Sequence, residues 1–298
     1  MSQLTNLWHY LYSSPNFVPS VVGVAAAFAG SWGAQVAILR RDQRKELLAT
    51  LRAVNEAQAL CFAIGNTFMS LKKQHLIGML ERFRETEKSF LAFLEKLHAA
   101  EPDPQIEKFH CQTELHTLPI SKVPIERLEA VVFEKLSLDT KTLNLVIEIN
   151  KGIDALNTSI AFRNELVRRW YEGPAMSHDE VTIRYLGVHT SNGVDETYKQ
   201  TLFAIEIYCN DCIFFSMLLS KALNEHGNTV RRNRYRVFRP LPKIAEADYS
   251  SEKAQRLIPD SKEYDDWLSG FQPQPTFGEK FKAIFSLKVT TRPKNPEA

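Results

Sequence analysis

No Asp, Glu, Lys or Arg occurs before Arg40, and the 23 residues from Phe17 to Leu39 carry no ionisable side chain at all. As a helix this run is about 34 Å long, enough to cross a hydrocarbon layer about 30 Å thick. Pro19 stands at its start, where a helix tolerates proline. Six Ala and three Gly dilute the larger apolar residues, so hydropathy is moderate rather than high. Two other readings fit less well. A soluble core helix of this length keeps some charge on its outer face. A secretory signal carries positive charge ahead of its apolar core, and here that region has none. The run therefore reads as a membrane anchor.

Its flanks set an orientation. Arg40, Arg41, Arg44 and Lys45 crowd the C-terminal side, and the excess of basic residues belongs in the cytoplasm. The expectation is a single-pass protein of the cell membrane. Residues 1–16 lie outside, 17–39 span, and the bulk of the chain is cytoplasmic. Trp8, Tyr10 and Tyr12 then sit at the outer headgroups. Within the span, Ala26, Gly30 and Ala34 form one ridge of small residues, and Ala29, Gly33 and Ala37 form another. Such ridges let helix backbones approach closely, so a homo-oligomer is expected. The plainer reading is that these residues only lower the hydropathy of an inert anchor.

The remainder reads as mainly α. Proline is missing from 20 to 101, 125 to 173 and 175 to 239, and half of the 14 prolines follow residue 239. Three long helical windows and an irregular, Pro-rich C-terminal region follow from that distribution. The first window continues from the anchor through Leu47, Leu51, Val54, Cys61 and Phe68, then through Leu80, Phe83, Phe90, Leu94 and Leu97. Between Gly65 and Gly78, the stretch Lys72–His75 is a place for a break or kink. Unbroken, the rod from 40 to 99 would be about 90 Å long, which favours an elongated helical bundle or coiled coil.

Residues 101–124 read as a long connection, and Pro124 opens a short helix. Asp139 is placed to cap a helix that runs to Tyr171. Asn150, Asn157 and Asn164 follow one apolar stripe at heptad spacing, either as polar layers that fix helix register or as solvated side chains. Ser177 to Glu180 has the pattern of a capping box, and Thr190–Gly193 breaks the chain. The third helix runs from about Asp195 to Glu225 and ends near Gly227. Its middle, 202–220, is apolar enough to suggest a second span, but an Asp at mid-membrane costs about 3 kcal/mol. With Glu206, Asn210 and Asp211 in place, it reads instead as the central strut of a bundle covering 40–230.

Candidate chemistry is sparse. Cys209 and Cys212 form a CxxC, yet in mid-helix they lack the helix N-terminus that activates such thiols. With His110, Cys111 and His116 they could supply zinc ligands, but neither set has a recognised spacing. Buried, reduced thiols in a cytoplasmic domain are the expectation, with no metal and no other cofactor. Residues 231–239, "RRNRYRVFR", hold Arg231, Arg232, Arg234, Arg236 and Arg239. The alternation of Arg with Tyr235 and Val237 reads as a strand or extended arm in the 231–298 region. It is a candidate contact for anionic lipid, or else a solvated edge paired with acids such as those of 263–267. With 37 basic and 35 acidic residues, a net charge of +2 supplies no global field for nucleic acid.

Residues 163–172 have the spacing of a salt-bridged helix surface. Glu206 is either a desolvated acid with a raised pKa or a paired acid near Asn210. No phosphate-binding loop, dinucleotide fingerprint, zincin or nucleophile-elbow motif occurs. The sequence thus points to a non-enzymatic, membrane-anchored interaction, scaffold or signal-coupling protein, with membrane lipids and an unidentified protein as partners. The alternative is a self-associating effector whose anchors assemble into a pore.

Overall fold

The structure is a computed structural model that describes residues 17–99, 109–172, 176–191 and 193–270. The expectations for 1–16, including the aromatic belt, and for the end of the Pro-rich region lie outside the described residues. Helix dominates, and no strand occurs among the described residues beyond an isolated bridge between Thr190 and Gly193.

Helix α1 (Phe17–Leu71) runs without interruption from the charge-free segment through the basic flank. Alanine is its favoured filler, and no proline follows Pro19 to break the hydrogen-bond ladder. A single π-helical turn, Lys72–Leu76, joins it to α2 (Ile77–Ala99). The expected break at Lys72–His75 is thus a π turn, which inserts one residue into the helical ladder without ending the rod.

Helix α6 (Thr197–Arg234) lies antiparallel against the part of this rod from Val54 to Glu87. Gly227 meets Val54, and Ser220 donates to buried Gln58 at 2.7 Å. The Cys61 thiol donates to the Ser216 carbonyl, and Cys209 donates to that of Phe68. Across the π turn, Lys72 donates to Asn210 at 2.7 Å. Beyond it, Arg84 pairs with Glu206 and Lys199 with Glu87. Helix α4 (Thr140–Glu172) covers the opposite side of α6, where the Cys212 sulphur approaches Gly152. Helix α6 packs more extensively against α4 and α1 than any other pair of elements pack together, so it is the central strut. Helix α3 (Ile125–Lys135) bridges the outer two, with Arg127 and Lys135 paired to Glu56 of α1 and Glu129 accepting from Asn150 of α4. One apolar core joins Val54, Ile64 and Phe68 to Ile149, Leu156, Ile205 and Leu219, all fully buried.

The caps follow the sequence. Asp139 accepts from the Thr142 amide and hydroxyl to start α4. Ser177 and Glu180 form the reciprocal capping box of α5 (His178–Leu186), which ends on left-handed Gly187. Helix α6, however, continues well past Gly227, and the reason is packing. A Cβ on Gly227 would stand 2.8 Å from Val54 Cγ1 and 3.0 Å from Ile244 Cδ1. Here glycine lets two helices and a loop meet rather than terminating one of them. Gly227→Ala should destabilise the chain by about 1–3 kcal/mol through overpacking, despite its better helix propensity. A thermal melt of the full chain reads this directly, and an unchanged midpoint would show that Val54 and Ile244 yield freely.

The asparagine series has a different use from the expected layers. Asn150 does reach across to α3. Asn157 exchanges two hydrogen bonds with the backbone of Ser121, and Asn164 does the same with Leu118. Each side-chain amide thus satisfies an amide and a carbonyl of an extended segment that has no strand partner. The spacings agree: a heptad rises about 10.5 Å along a helix, and three extended residues cover about 10 Å. These two side chains hold an antiparallel extended segment against α4.

The chain after α6 folds back as a strap. Asn55 binds Lys243 and Ala245, and Lys72 donates to the Leu257 carbonyl. Short helices α7 (Glu252–Gln255) and α8 (Asp265–Ser269) flank a 3-10 turn, Ser261–Tyr264. Tyr264 stacks on Phe214 at 3.7 Å and donates to Asp211, whose carboxyl is pushed upward in pKa by burial. The acids of 263–267 therefore sit beside the middle of α6, away from the Arg-rich segment.

Candidate membrane interface

Two helices among the described residues are long and apolar enough to cross a membrane. Their surroundings differ. None of the apolar window near the N-terminus is buried in protein, against 44% of the window in α6. Phe28 and Trp32 are 74% and 71% exposed, while Leu51 and Val54, farther along the same helix, are at 0%. The change comes between Leu39 and Leu47, where Arg40, Arg41, Arg44 and Lys45 stand exposed around the helix. Within this collar Asp42 lies 3.9 Å from Lys45. The two small-residue ridges, Ala26–Gly30–Ala34 and Ala29–Gly33–Ala37, are exposed along their whole length. A Cβ on Gly30 or Gly33 would meet nothing within 4 Å.

The Arg-rich segment is helical where an extended arm was expected. Arg231, Arg232 and Arg234 lie in the last turn of α6, Arg236 follows in a turn, and Arg239 lies in irregular chain beyond it. Alternation over so few residues does not separate a strand from the end of an amphipathic helix. The helical course brings Arg231, Arg232, Arg236 and Arg239 around one cavity of about 360 Å³ with Asn228 and Tyr235, whereas Arg234 does not line it. Tyr235 also packs on the small cluster of Leu47, Leu51, Phe238 and Leu241. The cavity is thereby fixed to the stretch of α1 that follows the basic collar. This neighbourhood joins residues far apart in sequence, and only the antiparallel course of α6 creates it.

The other candidates separate. All four cysteines are buried and free. Cys209 faces the α1 backbone and Cys212 faces Gly152 of α4. Burial pushes the Cys209 thiol up to about 12. His116 contacts Glu114, and the His110 ring approaches that of His178. Among the described residues, no three His, Cys, Asp or Glu side chains gather as a metal site. Glu206 is a partly exposed acid paired with Arg84 at 2.8 Å, and Asn210 is engaged by Lys72 instead. Arg168 bridges Glu165 and Glu172, and Arg169 joins Glu165, as the spacing of 163–172 implied.

A buried cation escaped the sequence reading. Arg163 is fully buried and, among the described residues, has no carboxylate partner. It donates to the His116 carbonyl at 2.7 Å, the Glu114 carbonyl at 3.2 Å and the Tyr198 hydroxyl at 2.9 Å. Its guanidinium also lies 5.3 Å from the centre of the Tyr198 ring. The Glu114 carboxylate turns outward to Arg82 and His116. Nothing in "AFRNELVRR" distinguishes this Arg from its exposed neighbours except its place on the apolar face, seven residues after Leu156.

No protein-family model matches the chain, and no curated protein or solved structure matches it significantly.

Proposed function

We propose that the chain is a single-pass, N-out membrane protein whose cytoplasmic helical bundle acts as a scaffold or signal-coupling module without catalytic activity. The observation that carries this reading is the contrast along α1. One continuous helix has an exposed apolar end, then a basic collar, then a segment with one face buried in the bundle. A soluble protein has little reason to leave Phe28, Trp32, Ile38 and Leu39 uncovered together. A bilayer covers them, and the collar fixes the direction of insertion. The partner of the bundle is an unidentified protein, and lipids are partners of the anchor.

Topology reporters test it. A C-terminal green fluorescent protein fusion should fluoresce, and a C-terminal alkaline phosphatase fusion should be inactive. The opposite pair of results would reverse the orientation.

A second reading is a self-associating effector whose spans assemble into a pore. It is favoured by the open space around Gly30 and Gly33, which leaves room for the backbone of another helix. Vesicles containing the full-length chain would then leak dye, and Gly30→Ile with Gly33→Ile would stop the leak. Tight vesicles with the wild type exclude this reading.

A further inference from the structure

The cavity at the end of α6 has the chemistry of an anion site. Four of its six lining residues are Arg, the other two are Asn228 and Tyr235, and no acid lines it. None of the four Arg takes part in an ion pair among the described residues. Two of them share one aromatic ring: Arg231 lies 5.1 Å from the centre of Tyr235, and Arg239 lies 4.4 Å from it. A ring gathers two cations without neutralising their mutual repulsion. The Nε of Arg231 is buried and has no hydrogen-bond partner among the described residues. A guanidinium with free donors in a fixed fork matches the oxygens of a phosphate, which can accept two parallel hydrogen bonds.

Position narrows the ligand. Tyr235 packs on the cluster that joins Leu47 and Leu51 to Phe238 and Leu241, and Leu47 lies about 12 Å along the helix from Leu39. Arg40, Arg41, Arg44 and Lys45 occupy the interval. The cavity therefore opens at the same end of the bundle as the apolar segment.

We propose that Arg231, Arg232, Arg236 and Arg239 form a binding pocket for a phosphate group carrying two negative charges. Its source is either the phosphomonoester headgroup of an anionic lipid or a free phosphate compound. The lipid source rests on the anchored reading above, whereas the free source does not. Tyr235 holds Arg231 and Arg239 in place, and Asn228 offers a neutral donor. The occupied pocket would sit against the part of α1 that carries Leu47 and Leu51, through the packing of Tyr235 on their cluster.

The test uses the full-length chain with two probes. In detergent, pyrophosphate is titrated and followed by thermal melting. In nanodiscs of phosphatidylcholine with or without phosphatidic acid, lipid retention is followed by native mass spectrometry. Saturable stabilisation by pyrophosphate without retained phosphatidic acid identifies the free source. Retained phosphatidic acid identifies the lipid source. In either case Arg231→Gln with Arg239→Gln should weaken binding at least tenfold. Arg40→Gln with Arg41→Gln, which changes the exposed collar and not the pocket, should leave pyrophosphate binding unchanged. Should the first pair fail to fold, exposed Arg232 and Arg236 replaced by Gln carry the same comparison. Absence of binding by both probes overturns the pocket, as does equal weakening by the pocket and collar variants. The pyrophosphate arm needs no bilayer, so its outcome is independent of the topology result.

Discussion

Arginine at both Val24 and Phe28 should release the chain from membranes or send it to degradation, whereas the wild type should stay in the pellet after alkaline carbonate washing. Each Arg near the centre of a span costs about 2.5–3.5 kcal/mol on insertion scales, so the pair costs about 5–7 kcal/mol. An Ala- and Gly-diluted run has little surplus hydropathy to offset that. Both side chains are exposed, at 58% and 74%, so the substitutions disturb no protein core. Any effect on the bundle must therefore come through the membrane. Wild-type chain released by carbonate would leave the exposed apolar surface of α1 to another protein rather than to lipid. A Val24→Arg, Phe28→Arg variant retained as firmly as the wild type would remove the span as the cause of retention.

The second large effect belongs to Arg163. Arg163→Ala should destabilise the bundle by about 3–5 kcal/mol, combining a large cavity with the loss of hydrogen bonds from a charged donor. The damage goes beyond one helix. The two carbonyls that Arg163 holds belong to Glu114 and His116, on the extended segment that Asn157 and Asn164 also clamp. Arg163→Met refills most of the volume and should lose less, about 1–3 kcal/mol, because carbonyls are left without a donor. Urea unfolding of the full chain in detergent measures both. If Arg163→Ala falls within about 0.5 kcal/mol of the wild type, the ordinary range for surface changes, the clamp has no energetic role.

These three residues also mark what the sequence could and could not reveal. Val24 and Phe28 belong to a feature with a one-dimensional signature, since length without charge is enough to raise the membrane reading. Periodicity likewise located the long helices, and local chemistry located the caps at Asp139 and Ser177. The Lys72–His75 break was visible as a position, though not as a π turn. Arg163 has no such signature, because its burial depends on a segment 47 to 49 residues earlier folding over it. The same limit explains Gly227 and the Arg-rich stretch. A glycine that stops a helix and one that admits a neighbour look alike until the neighbour is known. Once α6 continues past Gly227, Arg231 and Arg232 become helical and the pocket with Arg236 and Arg239 can form. The candidate residues were therefore named by composition, but their grouping came from tertiary contacts.

The absence of any hinge between the charge-free segment and the bundle gives α1 the mechanics of a lever. From Leu39 to Leu71 the helix extends about 48 Å. Transmembrane helices tilt by about 20° on average, and the tilt responds to bilayer thickness. A stiff arm of that length inclined by about 20° carries its far end sideways by about 16 Å. Helix α6 grips the arm from Val54 to Phe68, and its contacts continue beyond the π turn. On the anchored reading proposed above, a change of a few ångströms in bilayer thickness would swing the bundle by a distance comparable to the diameter of a helix.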